Sequence, residues 1–318
     1  MIVGLRDDQV EDLTEQLKNT ITAFRHGISK PYNQPPNLDE KFNGRYLLKL
    51  ASTFSLPEIQ TLLRVSRVRE QGLLLLRSGK LHSGEDHLSA ARKIIREAEF
   101  GPEARMIADS FQTAAEAYLA YKIGKFATAA NLTRATIISS QTLKESYGYD
   151  MEVRCIHLLR NFVRVSSRAG EYDSALTQLL NLIRFIEGGH CFRPLPDVCC
   201  FEHPCELELE ERWVMMDQVL VELADLLGVS NDPDLARQCR PHLERARLND
   251  VFQRTDTFLE AIIAASEGEP MIFLKRAESF FSEGMTGLYQ SWQEVTTDLK
   301  HLCDNFGVDL LDAVGGAS

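Results

Sequence analysis

Apolar residues recur every three or four positions along most of this chain, the spacing of one face of an α-helix. Val10, Leu13, Leu17, Ile21 and Phe24 trace such a face over about Asp8–Arg25. Pro31, Pro35 and Pro36 then make Gly27–Asn37 a connector that cannot be helical throughout. A short helix is predicted over Lys41–Thr53, and Ser55 with Glu58 three residues on forms a capping-box signal for a helix running to Ser78. Further helices are predicted over about Ser83–Ala98, with Leu88, Ala91 and Ile95 inward, Pro102–Ile123, Ala127–Glu145, Asp150–Arg168 and Tyr172–Glu187. Gly188–Pro204 breaks the pattern, which resumes over Cys205–Leu227, Pro233–Arg247, Asp250–Glu267, Pro270–Glu283 and Leu288–Phe306. No segment alternates as a strand does.

Three helical patterns end alike, in LLRSGKL at Leu75–Leu81, AYKIGKF at Ala120–Phe126 and SSRAGEY at Ser166–Tyr172. Gly79, Gly124 and Gly170 anchor them at spacings of 45 and 46 residues. Small or modest residues precede each glycine by seven (Gly72, Ala117, Val163) and follow it by five (Gly84, Ala129, Ala175). Bulky residues follow by two (Leu81, Phe126, Tyr172), and Leu88, Thr133 and Leu179 follow by nine. Thr133 and Thr136 weaken the second unit. A repeat of this length with small residues where helices cross is the signature of stacked helical hairpins.

These offsets resemble the tetratricopeptide repeat family over Arg64–Glu187, and more faintly over Gln218–Leu243 and Thr255–Phe280. The spacing is longer than that family's usual 34 residues, so the helices are expected to be longer. The resemblance implies an all-α, right-handed superhelical solenoid of antiparallel hairpins, with about 12–13 helices in this chain. It also implies that the first helix of each hairpin lines a concave inner wall. On the third such helix His157, Arg160, Arg164 and Arg168 share one arc, with Leu158, Phe162 and Val165 opposite. The matching positions are Arg69, Leu73, Leu76 and Arg77 in the first unit and Phe111, Tyr118, Tyr121 and Lys122 in the second. The expected partner-binding surface is therefore Arg69, Arg77, Tyr118, Tyr121, Lys122, His157, Arg160, Arg164 and Arg168. Arginine forks suit carboxylates, so an acidic protein segment is the expected occupant. The other reading is a row of solvated arginines, or arginines paired with neighbouring acids. Clamps of this family that grip a C-terminal carboxylate also need asparagines, which are missing here.

The expected organisation is N-terminal helices and a Pro-rich connector over 1–54, three hairpins over 55–187, an inserted loop over 188–205, and C-terminal hairpins with a tail over 206–318. The chain has 318 residues, 44% hydrophobic, with a net charge of −11, which argues against nonspecific nucleic-acid binding. No apolar run is long enough to span a bilayer, and the N-terminus lacks a basic start followed by an apolar stretch. Seven cysteines, an odd number, suit reduced thiols, so a cytoplasmic setting is expected.

The insert carries His190, Cys191, Cys199, Cys200, His203 and Cys205, ligand types that suit zinc. It has no Cys-x-x-Cys pair, and reduced cysteines beneath a loop explain it as well. After it, Glu202, Glu206, Glu208, Glu210, Glu211, Asp217, Glu222 and Asp225 stand against Arg212 alone. They form a solvated face, or a patch for a basic partner that makes self-association possible.

No phosphate-binding glycine loop, nucleophile elbow or metalloprotease motif is present. Cys155 with His157 and His82 with His87 are spaced poorly for nucleophilic or metal chemistry, and Cys239 with His242 share a helical face that Pro241 disturbs and that lacks a third partner. The expectation is a non-catalytic adaptor, or subunit of a multiprotein complex, without cofactor. The alternative is a helical-repeat regulator that senses a peptide or small anion, and after it a helical enzyme of unfamiliar type.

Overall fold

The computed structural model describes residues 38–188, 191–195, 201 and 205–208, with scattered positions in 12–19, 211–226 and 260–282. The described positions of the first predicted helix, Asp12, Glu15, Gln16 and Asn19, are helical. The predicted helices over Pro233–Arg247 and Leu288–Phe306 lie outside the described residues.

Among the described residues the protein is all-helical. The helices are α1 (Leu38–Thr53), α2 (Leu56–Arg77), α3 (Leu81–Glu97), α4 (Pro102–Lys122), α5 (Phe126–Tyr147), α6 (Glu152–Arg168), α7 (Tyr172–Gly188) and α8 (Pro270–Ser282). Their ends follow from local chemistry. Glu58 accepts hydrogen bonds from the Ser55 amide (3.2 Å) and hydroxyl (2.8 Å), and Pro57 lies in the first turn of α2, where its missing N–H is harmless.

Gly79, Gly124 and Gly170 adopt positive φ of 77°, 74° and 85°. In each case the glycine N–H bonds the carbonyl three residues back, at Leu76, Tyr121 and Ser167. The next N–H bonds the carbonyl five back, at Leu75, Ala120 and Ser166. This is a Schellman cap made three times over, and it explains why these positions are glycine.

The chain divides into two compact units, one of residues 37–171 and 191–207, the other of residues 1–36, 172–190 and 208–318. The boundary at Glu171 falls inside the predicted third hairpin. In the first unit α2 packs on α3 and α4 on α5, with α4 also touching α2 and α3, and α6 packs on α5. Gly72 and Gly84 let α2 and α3 cross closely. A Cβ added at Gly84 would stand 2.5 Å from Leu76 Cδ2 and 3.1 Å from the Gly72 carbonyl oxygen. Ala117 and Ala129, at the same places in the second hairpin, are buried. Thr133 and Thr136 turn out to be core residues: each hydroxyl donates to a carbonyl four residues back (Ala129 and Leu132, 2.8 Å each), so a Val-shaped side chain is buried with its oxygen satisfied.

The segment 191–207 belongs to this unit. Leu195 joins Ile137 of α5 and Leu158 of α6 in one apolar cluster, against which Ala114 and Phe162 pack. The buried Glu152 carboxylate accepts the Glu206 amide (3.0 Å) and the Lys144 ammonium (3.3 Å).

In the second unit α7 buries Ala175, Leu179, Leu182, Ile183, Phe185 and Ile186. Arg212 donates to the carbonyls of Ile186 and Glu187, two of the acceptors left open at the end of α7. Arg276 of α8 pairs with Glu260 at 2.6 Å. The predicted acidic face is not uniformly solvated, because Glu211 and Glu222 are buried.

Candidate functional site

Each first helix of the predicted hairpins contributes a side chain to one cationic and aromatic cluster. Phe111, in the middle of α4, is its centre. Arg154 from the first turn of α6 lies 3.6 Å from the Phe111 ring centroid, and Arg69 of α2 lies 5.2 Å from it. Guanidinium groups are drawn to the negative face of the ring, and the flat fork stacks well there.

The two arginines differ in their partners. Arg69 is 7% exposed and donates to Ser66 Oγ (2.9 Å) and to Glu70 Oε1 (3.2 Å), a carboxylate that faces solvent. Arg154 donates to Ser140 Oγ (3.2 Å) and to the carbonyl and hydroxyl of Ser110 (3.3 and 3.4 Å). Among the described residues no carboxylate reaches it. Burial, with the like charge of Arg69 behind it, pulls the Arg154 guanidinium down to about 10. His157 lies one turn further along α6. Burial, then Arg160 and Arg154, push its imidazole down to about 3, so it is neutral at physiological pH.

Tyr46 of α1 is seated on this cluster. Its ring centroid is 5.6 Å from that of Phe111 and 6.1 Å from that of Tyr149. Burial pushes the Tyr46 phenol up to about 12, against the opposing pull of Arg154 and Arg69. Tyr149 in turn donates to Glu103 Oε1 at 2.7 Å, and burial together with that bond raises its phenol well above the ordinary value. Arg45, Tyr46, Lys49, Gly148, Tyr149 and Asp150 border an open cleft of 180 Å³ beside the cluster. Small-molecule sites usually hold at least about 300 Å³, so this cleft offers little to a metabolite.

The structure therefore brings Arg69 together with Arg154 on Phe111, while His157 and Arg160 follow further along α6. A separate group forms at the end of α4, where Tyr118 and Tyr121 stack (centroids 6.5 Å apart) and the Lys122 ammonium lies 5.8 Å from the Tyr118 ring centroid. Both tyrosines are partly buried, Tyr118 against the Leu76–Leu88–Ala115 cluster and Tyr121 against Ala120, Ala129 and Val165. Arg77 and Arg168 stand exposed in the last turns of α2 and α6, and Arg164 is partly buried one turn before Arg168. Leu76, placed on the open face by spacing from Arg69, is instead fully buried, because the α2–α3 crossing at Gly84 turns it inward.

Sequence spacing missed Arg154 and Tyr46. Arg154 continues the His157 arc by three residues, a signal present in the chain. Nothing local marks Tyr46.

Among the described residues no three His, Cys, Asp or Glu side chains gather to hold a metal ion. Of the predicted zinc candidates, Cys191 is exposed and Cys205 half-buried, whereas His190, Cys199, Cys200 and His203 lie outside the described residues. Among the described residues no helix is long and apolar enough to cross a membrane. Compared with family models, with curated proteins and with solved structures, the chain matches none.

Proposed function

We propose that this protein is a non-catalytic interaction scaffold, an adaptor or a subunit of a multiprotein complex, whose hairpins stack as a tetratricopeptide-like solenoid. Its concave, basic and aromatic wall takes an acidic segment of a protein partner. The observation that carries this reading is Arg154: a partly buried guanidinium stacked on Phe111, with Arg69 near the same ring and, among the described residues, no carboxylate beside it. Burying a cation without a counter-charge opposes folding, so its presence is best explained by an anion that arrives from outside. Tyrosines near arginines are the composition of binding surfaces that gain area at small entropy loss.

The test is titration of a fluorescein-labelled Glu-Asp-Tyr-Glu-Asp peptide, followed by fluorescence anisotropy at low and at high salt. Saturable binding is expected, weakened by salt and lost in Arg154→Met. Equal affinity in Arg154→Met and wild type would remove this face from the account.

A further inference from the structure

We propose that the outer face of α2 is a self-association seam, on which two copies of this chain pair with their α2 helices antiparallel. The inference stands apart from the Arg69–Phe111–Arg154 cluster and needs no peptide bound there.

The seam is a matter of spacing. Leu62, Val65, Arg69, Gly72 and Leu76 form the buried face of α2. On the opposite side Gln60, Leu63, Arg67, Glu70, Leu74 and Arg77 are all exposed. They recur at steps of three, four, three, four and three, the a and d positions of a coiled coil. Leu56, one heptad before Leu63, extends the row. Leu56, Leu63 and Leu74 are 67%, 44% and 56% exposed, and lie within about 20° of one another around the helix axis. Single exposed leucines are ordinary on a protein surface, whereas an aligned row of them opposite the core face marks a place of contact.

Charge decides what covers this row and in which direction. With the helices antiparallel and a two-fold axis midway between Arg67 and Glu70, each Arg67 faces the partner's Glu70. Leu63 then faces the partner's Leu74, and Gln60 faces the partner's Arg77, each layer made twice by symmetry. A parallel pair in register would set arginine against arginine and glutamate against glutamate, which repulsion disfavours. Both charged groups are available. Arg67 is exposed and bonds no carboxylate among the described residues. Glu70 accepts two hydrogen bonds from Arg69 of its own chain (3.4 and 3.2 Å), both at Oε1, which fixes the carboxylate and leaves Oε2 to accept from outside.

The seam is short. α2 has 22 residues, so it is about 33 Å long, and a strip about 10 Å wide covers on the order of 300 Å² per copy. Stable pairs bury about 800 Å² per partner, so the expected dimer is weak and reversible, with a dissociation constant on the order of 100 μM.

Sedimentation equilibrium of the full-length protein from about 5 to 500 μM tests this, with circular dichroism to confirm folding. Wild type is expected to pass from monomer toward dimer across that range. Leu63→Glu, which puts a carboxylate into both leucine layers, should hold the protein monomeric throughout. Arg67→Glu sets like charges in both central layers and should weaken dimerisation about tenfold. Adding Glu70→Arg to it restores opposite charges across the axis, and should return the constant to within about threefold of wild type. Should that double variant unfold because Arg69 loses its carboxylate, Leu63→Glu and Arg67→Glu decide alone. A wild type that stays monomeric, or a dimer indifferent to either single variant, overturns the seam. A folded double variant as weak as Arg67→Glu overturns the antiparallel register, and the proposal with it.

Discussion

Two arginines, one on α3 and one on α6, show opposite uses of the same side chain. Arg92 ties α3 to α4. Its guanidinium takes Glu116 in a two-point fork (2.9 and 2.7 Å) and Asp109 at 2.7 Å, and the Glu116 hydrogen bonds raise its pKa above the ordinary value. Arg154 has a ring and three neutral oxygens for company, and burial lowers its pKa. The first is charge arranged for the fold. The second is charge without an acidic partner among the described residues, which is the reason to propose a binding role for it.

The strongest way to sharpen this contrast is acid. The folded value for His157, about 3, lies below its ordinary 6.5. The unfolded chain therefore takes up this proton first, so the His157 contribution is whole above pH 6.5 and declines as pH falls toward 3. Each pH unit below the ordinary value removes up to about 1.4 kcal/mol, less where water reaches the ring. Denaturant unfolding should show about 1–2 kcal/mol lost between neutrality and pH 5, and His157→Gln should flatten that slope. A slope unchanged in His157→Gln would mean that the α6 face does not resist protonation.

Next in size is Arg92→Ala, expected to lower stability by about 1–2 kcal/mol, a discounted figure because the fork is partly solvated. Peptide binding should survive it. The smallest change in stability is expected from Arg154→Met, within about 1 kcal/mol of wild type, because relief of the buried charge offsets the lost hydrogen bonds and ring contact. A loss above about 2 kcal/mol would turn Arg154 into a structural arginine like Arg92 and erase the distinction.

Local chemistry made much of the fold legible. Gly79, Gly124 and Gly170 each stand where a left-handed residue ends a helix, and that requirement is written in the chain as a glycine before a polar and then an apolar residue. The capping pair Ser55–Glu58 is equally local. What depends on contacts distant in sequence was harder to read. Arg154 gains its meaning from Phe111, 43 positions earlier, and the inward turn of Leu76 comes from Gly84 on the partner helix. Thr133 and Thr136 looked like flaws in the second unit because spacing does not reveal that a hydroxyl can return its hydrogen bond to its own helix. Tyr46 sits on a helix with a single described buried side chain, so no periodic apolar signal announces where it docks.

The return of residues 191–207 to the first unit bears on how this protein is to be dissected. A fragment ending at Glu187, the natural cut from the repeat pattern alone, would strip Leu195 from Ile137 and Leu158, and the Glu206 amide from the Glu152 carboxylate. Bare leucine and isoleucine surface invites clumping, and the recessed Glu152 carboxylate loses the Glu206 N–H it accepts. An insoluble truncation at that point would thus report a missing clasp, and would say nothing against the hairpins beneath it.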